Sequence, residues 1–398
     1  MTARTAGTTR LTIGFIPLAD AAALIVAADR GFAVEEGLEL ELVREVSWSN
    51  VRDKLNIGLF DAAHLLAPLA IASSLGIGHI RVPLTVPFNL ALNGNAITVS
   101  PALWTALSAA VEVTAEGDLA DPTVSARALA RVVAARKAHR LPPLTLGMTF
   151  PFSNHNYQLR FWMAAGGVVP DEDVQLVVLP PPYMAESLGN GHVDGFCVGA
   201  PWNSAAVELG IGHILHFGSE IVGRAAEKVL AVRRCWADGN PDVLAGLVRA
   251  LDRAARFVAD PANREETAAL VAAPRRLNVA PEIVRRTLEG HLTLARHGAT
   301  RASDHYLVIG RLGASRPDPV QAAWAYAQMV RWGQAALSAD LLAAATEVFR
   351  PDLYEGAVGA APLRPGGEPP DDVGAFAGPA FDAGDIAAHL AAWPIRRS

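Results

Sequence analysis

Two segments about a hundred residues apart carry residue types suited to binding a small anion. The segments are residues 47–55 and 150–159, and each places a large aromatic residue just before the predicted start of a helix. The first backbone N–H groups of a helix lack intrahelical partners and carry partial positive charge, so helix starts favour anions. Two such starts from different halves of the chain predict a clamp around a small anionic ligand.

Trp48 and His155 are the candidate ligand contacts within these segments. Trp48 precedes Ser49, a predicted helix cap, and the indole N–H is a donor that suits an oxyanion. His155 follows Ser153, a second predicted cap, and histidine donates a hydrogen bond when neutral and adds positive charge when protonated. The alternatives are a core tryptophan and a structural or solvent-facing histidine. Ser49 and Ser153 are secondary candidates for ligand contact.

Lys228 is a third candidate, because lysine is scarce in this chain. Lysine occurs at positions 54, 137 and 228 only, and arginine supplies the other 31 of the 34 basic residues. Lys228 stands directly before an apolar, strand-like run. A surface lysine would need no explanation, whereas a buried ammonium requires a partner because an unpaired buried charge is very costly. Asn95, in the run Asn93-Gly94-Asn95, is either an amide donor to a ligand or a turn residue.

The bulk composition limits the possible functions. The chain has 398 residues, of which 51% are hydrophobic and 19% charged, with a net charge of −6. This length suits two domains of ordinary size. The balance is typical of a globular protein without a basic stripe for nucleic acid or a polybasic membrane anchor. No apolar run reaches the roughly 18 residues of a membrane span. The sequence lacks metal-ligand spacing, a nucleophile elbow and a phosphate-binding glycine loop, so we predict no catalytic residue, metal or cofactor.

Alternating strands and helices must position these residues. The patterns predict strands at 11–15, 38–43, 62–66, 145–150, 174–179 and 193–198, and helices at 20–30, 49 onward, 154–166, 182–189 and 202–209. Such alternation predicts parallel sheets with helices on their faces. The chain is mostly helical over 101–140 and again after residue 228. The Pro- and Gly-rich segment 361–380 predicts an extended tail on the surface.

The beginning of the chain permits two interpretations. Arginines precede the apolar run at 11–19, and the following Asp20-Ala21-Ala22-Ala23 could be read as the cleavage site of an export signal. The same residues also predict a first strand, a loop at Pro17 and a helix capped by Asp20. We favour the strand and therefore expect a cytoplasmic protein.

Ordered sequence blocks along nearly the whole chain resemble one family. They are LTIGFIPL at 11–18, SWSNVRDKL at 47–55, DAAHLLAP at 61–68, LNGNAI at 92–97, GFCVGAPWN at 195–203, RWG at 331–333 and RPDL at 350–353. These blocks resemble the nitrate- and bicarbonate-binding proteins of ABC uptake systems and their cytoplasmic relatives, the nitrate/nitrite sensors of the NasS type.

The resemblance implies a fold and a set of ligand contacts. The fold is α/β and type II periplasmic-binding-protein-like, with two doubly wound lobes and a ligand cleft between them. Lobe I would comprise 1–100 and 229–360, lobe II 101–228, and the tail 361–398. Trp48, Asn95, His155 and Lys228 fall at anion-contacting positions of the nitrate binders. The bicarbonate binders carry an acidic residue at the position of Lys228 and recruit a metal, so Lys228 favours nitrate or nitrite without a metal.

Three functions follow from the resemblance. The first is a cytoplasmic nitrate/nitrite sensor that holds a NasT-like RNA-binding antiterminator and releases it when the anion binds. The variant Phe152-Ser153-Asn154 favours this branch. The second is the solute-binding subunit of a nitrate ABC transporter, which would work with a permease and an ATPase. The third is an enzyme of the thiamine-precursor synthase type, which shares the bilobal fold. We favour the first.

Overall fold

A computed structural model describes residues 8–112, 117–359 and 373–396. The strands of these residues, in chain order, are β1 (Thr9–Phe15), β2 (Leu38–Arg44), β3 (Ala62–Leu66), β4 (Leu84–Asn93), β5 (Asn95–Val99), β6 (Leu144–Met148), β7 (Val174–Val178), β8 (Gly195–Gly199), β9 (His213–Phe217), β10 (Ala226–Arg233), β11 (His291–Thr293), β12 (Thr300–Ala302) and β13 (Leu307–Val308).

The α-helices of the same residues are α1 (Ala22–Asp29), α2 (Trp48–Asn56), α3 (Ala67–Leu75), α4 (Pro101–Glu112), α5 (Pro122–Ala138), α6 (Asn154–Ala165), α7 (Met184–Gly189), α8 (Trp202–Glu208), α9 (Gly218–Ile221), α10 (Arg234–Gly239), α11 (Pro241–Ala259), α12 (Arg264–Ala272), α13 (Pro281–Glu289), α14 (Pro319–Arg331), α15 (Ala339–Thr346), α16 (Pro351–Val358) and α17 (Ile386–Ala391).

Two large sheets form the cores of two lobes, as the predicted fold class requires. The first lobe contains a six-stranded sheet of order β13-β4-β10-β3-β1-β2, and the second a five-stranded sheet of order β7-β6-β8-β5-β9. Every residue of β3 is buried, as is every residue of β8, which is typical of strands covered by helices on both faces. The two sheets therefore provide the rigid walls on either side of a cleft.

Both sheets are mixed, whereas the strand–helix alternation predicted parallel sheets. β1 is parallel to β2 and β3, but β10 is antiparallel to β3 and β4. In the second sheet β6 is parallel to β7 and β8, but β5 is antiparallel to β8 and β9. Parallel neighbours need a crossover connection. β5 and β10 instead enter their sheets directly from the other lobe, which gives them the opposite direction.

The chain crosses between the lobes at two neighbouring segments. β4 ends at Asn93 and β5 begins at Asn95 in the other sheet, and Asn93 and Gly94 adopt φ angles of 59° and 92°. This left-handed backbone is tolerated best by Gly and Asn. The Asn93 side chain accepts a hydrogen bond from the Ala225 N–H at 3.0 Å and donates one to the Gly223 carbonyl at 2.9 Å. Asn93 therefore joins the outgoing crossing to the returning one.

The C-terminal segment lies against the returning crossing. Of the predicted tail, residues 361–372 and 397–398 lie outside the described residues, as do residues 1–7 of the predicted lobe I. Within 373–396, the Val373 and Gly374 carbonyls accept hydrogen bonds from Arg224 and Gly223. This part contains α17 and buries Trp393, so it is partly helical where an extended chain was predicted. The domain limits at 100 and 228 remain predictions.

None of the helices in the described parts of the chain is long and apolar enough to cross a membrane.

Candidate functional site

α2 places Trp48 in the first turn of a helix that faces the cleft. Ser47 caps this helix: its backbone is extended, with φ −133°, and its Oγ accepts a hydrogen bond from the Asn50 N–H at 3.2 Å. The prediction that Ser49 caps this helix is wrong. Ser49 already lies inside the helix, and a cap residue must have a non-helical backbone. Trp48 is 1% exposed, and its indole Nε1 has no hydrogen-bond partner among the described residues.

α6 places His155 at the matching position in the second lobe. Ser153 caps this helix as predicted, since its Oγ accepts from the Asn156 N–H at 3.2 Å and donates to the Phe150 carbonyl at 2.6 Å. The Ser153 hydroxyl is therefore engaged within its own turn. His155 is fully buried; its Nδ1 lies 3.0 Å from Thr149 Oγ1, and its Nε2 has no partner in the described structure.

A β-bulge in β10 presents Lys228 to the same region. Ala226 pairs with Leu92 and Lys228 with Ala91, so Glu227 is an extra residue in the ladder. Consecutive side chains of a regular strand point to opposite faces, and a bulge changes their direction. As a result, Glu227 and Lys228 contact each other: Lys228 Nζ donates to Glu227 Oε1 at 2.7 Å. Both side chains are fully buried.

Asp20 completes the surroundings of Lys228. Its Oδ2 lies 3.1 Å from Lys228 Nζ, and its Oδ1 lies 2.8 Å from His64 Nε2. The sequence predicted Asp20 as a helix cap, but its side chain forms no cap hydrogen bond and instead enters this buried cluster. Because a buried carboxylate is stable only when paired, the ion pair with Lys228 decides its orientation. His64 Nδ1 accepts a hydrogen bond from the Ile16 N–H at 3.4 Å, so both ring nitrogens of His64 have partners.

Asn95 holds Glu227 in place. Its Nδ2 donates to Glu227 Oε2 at 2.7 Å and to Gln158 Oε1 at 3.2 Å, which uses both of its hydrogens. The atom of Asn95 left without a partner in the described residues is Oδ1, an acceptor. Asn95 was predicted as a donor to the ligand. In this arrangement it positions a neighbouring carboxylate and offers the anion no free N–H.

The buried cluster of Asp20, Glu227 and Lys228 is ionised and carries a net charge of one negative unit. The charge of Lys228 and hydrogen bonds hold the pKa of Asp20 and of Glu227 below their usual values, although burial alone would raise them. The two carboxylates raise the pKa of Lys228 against the opposing effect of burial. Burial lowers the pKa of His64, and it lowers the pKa of His155 to about 4. At neutral pH both histidines are therefore uncharged.

Aromatic rings enclose this cluster between the lobes. Lys228 Nζ lies 5.3 Å from the ring centroid of Trp48, and the Trp48 and His64 ring centroids are 5.6 Å apart. At the edge of the cleft the Arg52 guanidinium lies 5.7 Å from the Phe150 ring centroid. Asn154 Nδ2 donates to the Ala226 carbonyl at 2.6 Å. These contacts join the two lobes, so the described conformation is closed.

Trp48, His155 and Lys228, all predicted from the sequence, are thus brought together from three elements. The arrangement leaves two buried nitrogens without partners among the described residues: Trp48 Nε1, a donor, and His155 Nε2, which donates or accepts according to the tautomer. A buried polar group without a partner costs about 1–3 kcal/mol, so Trp48 Nε1, and His155 Nε2 when it carries the proton, favour a ligand that accepts hydrogen bonds. Residues 8–112, 117–359 and 373–396 contain no group of three His, Cys, Asp or Glu side chains that could hold a metal ion.

Sequence reasoning missed Asp20 and Glu227 as members of the site. Each had a signal: Asp20 interrupts the largely apolar run 11–27, and Glu227 and Lys228 stand directly before the apolar residues 229–232 of their strand. A carboxylate in an apolar run predicts a buried partner of opposite charge. What the sequence did not reveal was that both carboxylates share the same lysine.

Comparison with known proteins places the chain in a family. Residues 4–272 match the NMT1-like family. The nitrate/nitrite binding protein NrtA of Synechococcus elongatus is 30% identical over 352 residues, which cover 86% of this chain and 76% of that protein. The chain belongs to the NMT1-like family. It is close to the NrtA proteins within the substrate-binding proteins of ABC transporters.

Two further comparisons concern this NMT1-like chain. The nitrate import ATP-binding protein NrtC of a Synechocystis strain is 32% identical over 349 residues; the chain spans about half of its length, because these residues cover 86% of the chain but 49% of that protein. The crystal structure of the periplasmic nitrate-binding protein NrtA from Synechocystis PCC 6803 has a TM-score of 0.84 at 26% identity. The matched residues cover 98% of this chain and 99% of the NrtA chain. The periplasmic-binding-protein fold predicted for this chain is confirmed.

The buried neutral histidines predict a loss of stability in acid. A histidine whose pKa is lower in the folded protein binds protons more weakly than in the unfolded chain. The contribution of such a histidine to the free energy of unfolding is complete above its pKa of 6.5 in the unfolded chain. It is lost as the pH falls towards the pKa in the folded protein. For His155 this amounts to about 3 kcal/mol between pH 6.5 and about 4, at 1.36 kcal/mol per unit.

Denaturant unfolding at several pH values measures this effect. We expect the free energy of unfolding of His155→Gln to fall less steeply than that of the native protein over this interval, since glutamine does not titrate. Equal pH dependence of the two proteins would show that His155 does not have a lowered pKa.

Proposed function

We propose that this protein binds nitrate or nitrite between its two lobes. The observation that carries the proposal is the pair of buried nitrogens without partners in the described structure, Trp48 Nε1 and His155 Nε2, beside the buried ammonium of Lys228. An oxyanion offers acceptors to all three groups. Among the relatives, the NrtA proteins support the same ligand, because one is named as a nitrate/nitrite binding protein and another as a nitrate-binding protein. We assign the protein no catalytic step.

The charge of the site favours a monovalent anion. Lys228 already balances one of the carboxylates of Asp20 and Glu227, and the cluster retains one negative charge. Each negative charge that a ligand adds must be accommodated in this buried site without hydration. A dianion such as sulfate would add two such charges. Buried uncompensated charge is costly, so the cost rises steeply with ligand charge. A small planar anion with one charge, such as nitrate, fits this limit.

Calorimetric titration tests the proposal. We expect one nitrate or nitrite ion to bind per chain and sulfate at the same ionic strength to give no binding heat. Bicarbonate should also fail in the absence of metal, because Lys228 stands where the bicarbonate binders of the family carry an acidic residue. Binding of bicarbonate or sulfate in preference to nitrate would refute the proposal.

We further propose that the protein acts as a cytoplasmic sensor for this anion. Residues 11–15 lie in β1, which pairs with both β2 and β3 in the interior of the first sheet. Cleavage after Ala19 would remove this strand, so the fold favours retention of residues 11–19. In a sensor, closure of the lobes must be read by a partner. We propose a NasT-like RNA-binding antiterminator that prefers the open, anion-free form.

Anion binding and partner binding should then oppose each other. A ligand shifts a conformational equilibrium only by its differential affinity for the two states, and the coupling is reciprocal. We expect the protein and its antiterminator to co-elute in size-exclusion chromatography without nitrate and to separate when nitrate is added. Lys228→Met, which cannot bind the anion, should co-elute with the antiterminator in both conditions. A complex that nitrate leaves intact would contradict the sensor.

The second candidate is the solute-binding subunit of a nitrate ABC transporter. It is favoured by the similarity to NrtA and to NrtC, which are named as a nitrate-binding protein and a nitrate import ATP-binding protein. Under this alternative, the nitrate-bound protein should stimulate the ATPase of a cognate permease complex. Recovery of the native chain from the periplasm, starting after Ala19, would also support the transporter and refute the sensor.

A further inference from the structure

His155 lies between a carboxylate and the position that the anion would occupy. On one side, its Nδ1 is 3.5 Å from Glu227 Oε1 and 3.0 Å from Thr149 Oγ1. On the other side, its Nε2 has no partner among the described residues. A neutral imidazole carries one proton, so one nitrogen donates and the other accepts. Only one of the two sides can therefore receive an N–H from the neutral ring.

Neither neutral form can donate to both negative groups once an anion is bound. With the proton on Nδ1, the lone pair of Nε2 points at the anion. With the proton on Nε2, Nδ1 can accept a hydrogen bond from the Thr149 hydroxyl at 3.0 Å, but its lone pair still lies 3.5 Å from the carboxylate of Glu227 and gives that charge no N–H. An imidazolium donates from both nitrogens and satisfies both negative groups at once.

We propose that Glu227 makes anion binding proton-coupled, so that the site takes up nitrate together with one proton, which His155 holds between Glu227 and the anion. This inference rests on the proposed function and deepens it. Glu227 is a positioning residue that acts through His155. The proton comes from solvent, and it returns to solvent when the anion leaves.

The charges around His155 favour this proton. Glu227 and Lys228 face the ring from β10 and Asp20 acts on it from the turn before α1, while the nearby Cys197 thiol has its pKa raised by burial and remains neutral. The three charged groups sum to one negative charge. A bound monovalent anion would double it, and one added proton restores the original value. Burial lowers the pKa of His155 to about 4, so at neutral pH the added proton is absent until an anion binds.

His64 provides the internal comparison. It is equally buried and also contacts a carboxylate, but its Nε2 faces Asp20 and its Nδ1 accepts the Ile16 N–H. A single neutral tautomer therefore satisfies both of its nitrogens. Anion binding gives His64 no reason to take up a proton, and only His155 should titrate with the ligand.

Nitrate titrations of the native protein in two buffers of different ionisation enthalpy, such as MES and Bis-Tris, count the protons taken up. We expect about one proton to be taken up per nitrate near pH 6. As the pH rises from the pKa of His155 without nitrate to its pKa with nitrate bound, the nitrate affinity should fall roughly tenfold per pH unit. His155→Gln should bind nitrate more weakly and with no proton uptake. Glu227→Gln should lower the proton count, and His64→Gln should retain it.

The outcomes separate the two proposals. Nitrate binding by the native protein without proton uptake from pH 5.5 to pH 8 would overturn the proton coupling and leave the proposed function intact. Unchanged proton uptake in His155→Gln would overturn the assignment of the proton to His155. The absence of nitrate binding at every pH would overturn the proposed function, and the coupling with it.

Discussion

Replacing Lys228 with methionine is expected to abolish nitrate binding and to lower the free energy of unfolding by about 3–5 kcal/mol. The ammonium is the positive charge shared by Asp20 and Glu227, at 3.1 and 2.7 Å, and all three side chains are fully or almost fully buried. Without it, two buried carboxylates face each other and any incoming anion. Calorimetric titration and denaturant unfolding measure the two effects.

Two further variants separate binding from folding. Lys137→Met makes the same substitution at a surface ion pair with Asp173, where the lysine side chain is 60% exposed. Lys137→Met should lower the free energy of unfolding by less than about 1 kcal/mol and leave nitrate binding unchanged. The double variant Glu227→Gln/Lys228→Met removes one carboxylate together with the ammonium. It should recover part of the stability without recovering binding. Nitrate affinity in Lys228→Met close to that of the native protein would contradict the role of Lys228.

Replacing Trp48 with phenylalanine is expected to weaken nitrate binding by roughly tenfold to a hundredfold. The indole Nε1 is a buried donor that has no partner among the described residues, and phenylalanine retains the ring but not the N–H. A hydrogen bond to a charged group contributes about 1.5–3 kcal/mol, and each 1.4 kcal/mol is a factor of ten in affinity. The change should appear in calorimetric titration with little loss of stability, because the aromatic packing is preserved.

Tryptophan fluorescence gives an independent measurement. Nitrate should alter the emission of the native protein, and most of that response should disappear in Trp48→Phe. Trp104→Phe is the matched control: this tryptophan stacks on His213 in the second lobe, at a centroid distance of 5.0 Å, and takes no part in the cluster around Lys228. Its response should remain. A nitrate response that survives in Trp48→Phe would place the anion away from this indole.

The fold could be predicted, and the candidate site residues could be identified, because the sequence encodes them locally. Most predicted strands agree with the structure to within about two residues, since buried strands and amphipathic helices differ in hydrophobic period. Trp48, His155 and Lys228 were identified as candidates by their chemistry and by the resemblance to the nitrate-binding family. Cap assignment was less certain: Ser47 and Ser49 have the same side chain, and only the backbone conformation shows that Ser47 is the cap.

The remaining features depend on distant contacts that local pattern does not encode. The bulge at Glu227 turns two consecutive side chains towards each other, whereas period-two alternation would separate them. Asp20 and Lys228 are far apart in sequence and meet because β10 pairs with β3, which in turn lies beside β1. The two direct crossings between lobes likewise make both sheets mixed. Each of these features is decided by how the chain returns from the second lobe.

The most direct test of the account is a crystal structure of the protein grown with nitrate. We predict one planar anion between the lobes, within hydrogen-bonding distance of Trp48 Nε1, His155 Nε2 and Lys228 Nζ, with Glu227 still bonded to Asn95. A nitrate ion bound elsewhere, with Trp48 Nε1 and His155 Nε2 still without partners at saturating nitrate, would contradict the account.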